Sequence, residues 1–315
     1  MAYELLKRLV GFLATLLAAV LVVFLVLEVL PGDPAAVMLG PDATPEMIAS
    51  LRAELGLDQP AIWRFLHWLG SMATGDFGIS YSYRVPVSGL ILDRLAVTLP
   101  LSLMAIVLTT VLAMLIGVYA AANSNRLSGH LAMGLTQIGI AIPSFWLGLV
   151  LVLIFSVGLR WFPSNGFPGW RNGLWPAIHA LILPAVALAV VQAAVLPRVT
   201  RASLLEVLRD DFTRTARSKG LTRRQMLWKH ALQNALIPIA TMMGLQFAQL
   251  MAGTIVIESV FALPGLGNLI FQAVGQRDLV VIRSVVVVLA AMVIAINFIV
   301  DIAYVLIDPR LRVQA

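Results

Sequence analysis

The chain is predicted to be an all-α, polytopic membrane protein with six transmembrane helices, a short helix on one cytoplasmic loop and an extracytoplasmic segment between the first two spans. Three observations predict it. Hydrophobic residues make up 60% of the 315 and charged residues 12%, far more apolar than a soluble domain of that length needs. Six separate stretches are long and apolar enough to cross a bilayer. Nine of the 22 Lys and Arg crowd between Arg198 and Lys229, a loop between two of those stretches.

The first stretch, 9–30, follows Lys7-Arg8. As a helix its 22 residues cover roughly 33 Å, whereas a signal-peptide core has only about 7–15 residues. It is read as an uncleaved first span. Segment 31–96 comes next, opening on Pro31-Gly32-Asp33-Pro34. Thr44 with Pro45 behind it has the form of a capped helix start, with proline at the first helical position. Seven acids against Arg52, Arg64, Arg84 and Arg94 leave this segment at −3. It is large enough for a small folded cap and too small for a substantial core of its own. The remaining spans are expected near 97–121, 131–158, 177–199, 235–257 and 281–307. Pro143, Pro184 and Pro197 fall in or at the ends of spans, where kinks or broken turns are expected. The chain thus divides into 1–30, 31–96 and a five-helix part, 97–315, that carries the polar loop 204–238.

Orientation follows from the basic residues. With the N-terminus inside, cytoplasmic segments hold 14 of the 22 Lys and Arg, and the other side holds eight, four of them in the long 31–96 segment. Long segments count little in the positive-inside rule, so both termini are expected in the cytoplasm. The net charge of +6 is therefore a topology signal and not a nucleic-acid footprint.

The 204–238 loop also reads as folded. Asp210 or Asp211 can N-cap a short helix, and Gly220 can close it. Phe212, Ala216 and Lys219 share one face at 3–4 spacing, and small Ala216 and Gly220 permit close approach. Thr222 and Gln225 fit a capping box that starts a second helix. Such a helix can dock a soluble partner; the alternative is a basic loop lying on anionic headgroups.

Chemistry of other kinds finds little support. None of the three lysines follows a glycine, so no GxxxxGK[ST] phosphate loop exists. The four histidines stand apart at 67, 130, 179 and 230, without metal-binding spacing, and there is no cysteine. Asp301 lies well inside the last span, an expensive place for an acid and hence a candidate transport residue. Glu28 and Glu258 are placed near span ends, close enough to the interface to be solvated. Gln137, Gln192, Gln246, Gln249 and Asn297 can line a path or bridge helices. A proton-coupled secondary transporter built around Asp301 stays open as the rival reading, and a membrane scaffold as a third.

Together these landmarks resemble the permease subunits of binding-protein-dependent ABC importers, in the dipeptide/oligopeptide/nickel branch and its first-subunit form. The family's cytoplasmic "EAA" loop has Glu-Ala-Ala, three residues, then Gly. Here Ala216 matches the second Ala and Gly220 the Gly, with Arg214 and Thr215 in place of the Glu and first Ala. Arg214-Thr215-Ala216-Arg217-Ser218-Lys219-Gly220-Leu221 follows the branch's RTARxKGL closely, and Asn234-Ala235-Leu236-Ile237-Pro238 matches the end of the block. Further matches are Leu55-Gly56-Leu57-Asp58-Gln59-Pro60, Gly75-Asp76-Phe77-Gly78, Pro143-Ser144-Phe145-Trp146, Glu258-Ser259-Val260-Phe261 with Pro264-Gly265-Leu266-Gly267, and Asp308-Pro309-Arg310. One departure is Arg277-Asp278, followed here by Leu279-Val280 where the branch usually has Tyr-Pro.

The resemblance implies a non-catalytic transport subunit of a bacterial-type inner membrane, half of a translocation pathway. Its partners would be a second homologous permease, two cytoplasmic ATPase subunits, an extracytoplasmic substrate-binding protein and membrane lipid. No cofactor is implied on this chain, since ATP and Mg would bind the ATPases. Coupling to them would pass through Asp211, Phe212, Arg214, Thr215, Ala216, Lys219, Gly220 and Leu221. The implied solute is a short peptide, with nickel chelates, glutathione, glycosides and opines also served by the branch.

Overall fold

Apolar sequence without internal turn signals leaves the backbone one way to satisfy its polar groups inside a bilayer, the helix. The computed structural model describes residues 2–29, 34–40, 42–54, 56–209, 220, 222–226 and 231–307, and among them it is almost entirely helical. Helix α1 is Ala2–Val29, and three short helices follow: α2 (Pro34–Leu39), α3 (Pro45–Glu54) and α4 (Ala61–Ala73). The start of α3 is capped as expected, with the Met47 amide donating to Thr44 Oγ1 at 3.4 Å. Hydrogen bonds from its own backbone amide, then from Thr44, hold the exposed Glu46 carboxyl below its ordinary pKa.

Helix α5 (Val87–Ala122) begins ten residues before the expected span. Its 36 residues reach about 54 Å, so it projects well beyond a hydrocarbon core of about 30 Å. The expected third span is not one helix. It is α6 (Leu127–Ala141) and α7 (Ser144–Leu151), the latter continued by a π-helical turn, Val152–Gly158, and the two arms are bent by 99°. Pro143 causes the break: Ile142 before it is extended at φ −95°, ψ 120°, because proline drives its predecessor out of the helical region. Among the described residues, five continuous helices are long and apolar enough to span, or six if the bent pair is one span.

Helix α8 (Leu174–Gln192) runs unbroken through Pro184, against expectation, and ends seven residues early. Pro197 marks the next start instead: it occupies the first turn of α9 (Leu196–Val207), where its missing N–H costs nothing. Then come α10 (Arg223–Met226), α11 (Leu232–Val260), α12 (Leu266–Gln276) and α13 (Leu279–Ile307).

Three clusters hold the bundle along α5. At its start, Val87 and Ile91 pack with Leu266, Leu269, Val281 and Val285. In the middle, Leu101 and Ala105 meet Leu181, Leu188 and Leu250. Toward its end, Ala113 and Ala121 meet Leu196, Leu204, Ala235 and Ile239. Small residues let backbones approach in this last region. A Cβ on Gly117 would stand 2.6 Å from that of Thr200, so α5 and α9 can cross there only with glycine. Among the described residues, those of the 31–96 segment form no separate hydrophobic cluster. Trp68 joins Val20 and Val287, and Phe24 meets Phe65 edge-on at 5.3 Å.

Candidate functional site

The polar 204–238 segment joins α9 to α11 at the far end of α5. Leu204 and Ala235 are fully buried in the cluster at the end of α5 and hold its two ends to the bundle, while Glu206, Arg209, Thr222 and Gln225 reach solvent. The capping box is formed. Thr222 donates its amide to Gln225 Oε1 at 3.1 Å, and the Gln225 amide returns to Thr222 Oγ1 at 3.3 Å. Gly220 sits exposed at φ +83°, and a Cβ added to it would meet nothing within 4 Å. That left-handed conformation is one a β-branched residue resists. Asp211, Phe212, Arg214, Thr215, Ala216, Lys219 and Leu221 lie outside the described residues.

The proposed path-lining residues separate into two groups. Gln192 and Gln246 are a mutual brace: Gln192 Nε2 donates to the Gln246 carbonyl at 3.1 Å and Gln246 Nε2 to the Gln192 carbonyl at 2.9 Å. They clamp α8 to α11, and Gln246 is 1% exposed. Gln137 on α6 and Gln249 on α11 are exposed polar groups on apolar helices, and Asn297 is half-buried beside Gly244. The Asp301 side chain lies outside the described residues.

The opposite end holds a feature that sequence alone misplaced. Glu258 is not a solvated interfacial acid; it is fully buried. Helix α11 closes in a Schellman turn, with Leu263 N donating to the Glu258 carbonyl at 2.8 Å and Ala262 at φ +49°. The chain then turns straight into α12, whose first amides would be unanswered. Thr98 Oγ1 takes the Leu266 amide at 2.8 Å, and Glu258 Oε2 takes those of Gly267 and Asn268 at 2.7 and 3.1 Å. Thr98 Oγ1 donates to Glu258 Oε1 at 2.6 Å, which locks α5 to the corner. A Cβ on Gly265 would collide with the Glu258 carboxylate, and one on Gly267 with Ile255 Cα. Gly265 thus leaves room for the buried carboxylate, and Gly267 lets α12 start close against the α11 backbone.

A second turn of the same kind follows. Arg277 closes α12 at φ +56°, and buried Asp278 caps α13 through the Val281 amide at 3.2 Å. Its other oxygen accepts from Ser80 Oγ at 2.6 Å and the Ser82 amide at 3.0 Å, tying the 31–96 segment to the bundle. Val280, where the sequence departs from the resembled branch, is buried and would lie 3.2 Å from a Cβ on Gly78. The signal for this corner was present as an acid at a span end followed by Pro-Gly-Leu-Gly.

Comparison with known proteins fits this architecture. The family profile "Binding-protein-dependent transport system inner membrane component" matches residues 113–313, and the corresponding N-terminal profile matches 1–102. The chain belongs to that family. It is 40% identical over 312 residues to the "Probable peptide ABC transporter permease protein y4tP" of Sinorhizobium fredii, covering 99% of this chain and all of that one. To the glutathione transport system permease protein GsiC of Salmonella typhimurium it is 43% identical over 307 residues, 98% of both chains. Among solved structures, an inward-facing MetNI methionine ABC transporter shares the fold, with TM-score 0.58 and 21% identity over 70% of this chain and 96% of that one. The chain is thus an ABC-type membrane permease and a transport component. The proton-coupled reading is set aside.

Proposed function

We propose that this permease forms half of the pathway of an ATP-driven importer for short peptides or related small solutes handed over by a binding protein. The observation that carries it is similarity along the whole chain to peptide and glutathione permeases. The other half would be a second, homologous permease. Two ATPase subunits would bind the 204–238 segment, with ATP and Mg on those subunits. Closure of the ATPases would shift the population of the bundle between inward-open and outward-open states, since a ligand moves an equilibrium by its differential affinity for the two. Gln137, Gln249 and Asn297 are the proposed polar contacts along the path, with Asp301 a structural acid.

The test is reconstitution. Vesicles holding this chain with its second permease and ATPases should take up labelled dipeptide only with ATP and the binding protein. Uptake driven by a proton gradient into vesicles holding this chain alone would overturn the proposal. The orientation is tested with Ala73→Cys, an exposed position in a chain without native cysteine. An impermeant thiol reagent should label it from outside intact cells; labelling only after the membrane is opened would reverse the topology.

A further inference from the structure

Residues 78–87 fold into a tight hairpin. Ile79 bridges Pro86, Ser80 N donates to the Val85 carbonyl at 3.0 Å, and Val87 N donates to the Gly78 carbonyl at 2.9 Å. Its second arm runs without a break into α5. One side of the hairpin is sunk into the α12–α13 turn, where a single carboxylate serves two elements. Asp278 Oδ1 accepts the Val281 amide at the start of α13, and Oδ2 accepts from Ser80 Oγ and the Ser82 amide. Ser80 Oγ in turn accepts the Tyr83 amide at 3.0 Å, and the Tyr83 hydroxyl donates to Gln272 Oε1 of α12 at 2.9 Å. Ser80 is 1% exposed and Asp278 fully buried, so water does not stand in for these bonds if the hairpin shifts. The other side is open: Ile79, Arg84, Val85 and Pro86 are exposed, on the face that the basic-residue bias assigns to the outside.

The hairpin cannot shift without α5. Thr98 of α5 donates to Glu258 and accepts the Leu266 amide, so the start of α5, the end of α11 and both ends of α12 are held as one block. The 36 residues of α5 carry that block about 54 Å toward the cytoplasmic end. There Gly117 leaves no room for a Cβ against Thr200, and Ala113 and Ala121 share a buried cluster with Leu196, Leu204 and Ala235. Leu196 and Leu204 belong to α9, which runs into the 204–238 segment. Packed elements of this kind move between discrete arrangements and carry coupling along a contiguous route. The rest of the extracytoplasmic segment has a softer seat. A cavity of about 470 Å³ separates the end of α3 from α1 and α13, and the Glu28–Arg64 pair beside it is partly exposed.

We propose that the 78–87 hairpin, clamped by Asp278, is the relay that carries docking of the binding protein to α5 and through it to the 204–238 segment, with Ser80 and Asp278 as positioning residues. The relay rests on the importer reading given above. A partner that binds one position of the hairpin better than the other shifts the whole bundle by that difference in affinity, and the ATPases at the far end feel the same shift.

The test uses the full assembly, reconstituted with its second permease, ATPases and binding protein, and reads ATP hydrolysis with and without saturating binding protein. Wild type should be stimulated; no stimulation would overturn the importer reading and the relay with it. Ser80→Ala removes a buried hydroxyl that lies on no docking surface. Its basal hydrolysis and the binding-protein concentration for half-maximal effect should stay within about twofold of wild type, while stimulation at saturation falls at least about fivefold, the low end of ordinary coupling between sites. Tyr83→Phe, which removes only the hydroxyl on Gln272, should lower stimulation less. Arg64→Ala, which cuts the tie to Glu28 instead, should be stimulated as wild type is. If Ser80→Ala and Tyr83→Phe, both fully assembled, are stimulated as wild type is, the relay is wrong while the importer reading stands. Equal losses of basal and stimulated hydrolysis in Ser80→Ala would make the clamp a matter of stability alone and overturn the relay. A loss in Arg64→Ala as large as that in Ser80→Ala would move the route to α1 and overturn it as well.

Discussion

At the α11–α12–α13 corner, buried polar groups are answered by the chain itself: Glu258 by Thr98, Gly267 and Asn268, and Asp278 by Ser80, Ser82 and Val281. At the other end of α5 the 204–238 segment does the reverse. Its described polar groups reach solvent, and Thr222 and Gln225 answer each other. Both ends carry glycine, for different reasons. Gly265 makes room for a carboxylate and Gly267 chiefly for the Ile255 backbone, whereas Gly220 sits in open space and supplies only a left-handed backbone. The contrast teaches that charge and polarity at the end of a membrane bundle have two uses. Buried and fully paired, they join helices; exposed and locally capped, they are available to a partner.

The harshest test of the comparison is Gly267→Val. The obstructing atom is the Ile255 backbone, which cannot rotate away, so a loss well above about 4 kcal/mol is expected, in the range reserved for severe steric defects. Monodisperse protein after solubilisation should disappear; a wild-type yield would show the corner is looser than described. Next in size come Gly220→Val and Ala216→Trp, expected to abolish ATP-dependent uptake and ATPase co-purification while leaving yield intact. The strain of a β-branched residue at Gly220 is only about 1–2 kcal/mol and local. If complexes of both variants keep their ATPases and transport normally, the segment has no docking role.

Smaller effects sharpen the same contrast. Both Glu258 oxygens accept hydrogen bonds, so Glu258→Gln sets an NH₂ against a donor and should cost about 1–3 kcal/mol, seen as a lower thermal midpoint of the purified chain. An unchanged midpoint would mean that the cap is dispensable. Arg64→Ala should do least. Its pairing with Glu28 is partly exposed, at 23% and 35% for the two side chains, and such pairs contribute at most about 1 kcal/mol. A drop comparable to that of Glu258→Gln would show that the 31–96 segment depends on this pair more than on Trp68 and Phe65.

Much of this architecture was legible beforehand because it rests on local physics. Apolar runs of span length, Thr44 before Pro45, and the Thr222–Gln225 box each depend on residues within a few positions; the two caps were found where expected, and the runs were found as helices, though with shifted ends and with the third broken. Proline was read less well. The same residue breaks the chain at Pro143, starts a helix at Pro197 and is absorbed within α8 at Pro184. The choice depends on which neighbours satisfy the freed carbonyl and on packing, which the residue itself does not encode.

The chain by itself determined its class, the approximate number of its spans and the distribution of its charge, because hydrophobicity and positive-inside bias act residue by residue along the sequence. Its motifs also sufficed to indicate the permease family. Only the tertiary structure decided what the isolated polar groups do. Glu258 is 160 residues from Thr98 and Asp278 is 198 from Ser80; Gln192 and Gln246 are 54 apart. A buried acid and a solvated one look alike in sequence. What separates them is whether the fold brings donors to within hydrogen-bonding distance, and that depends on how the helices pack.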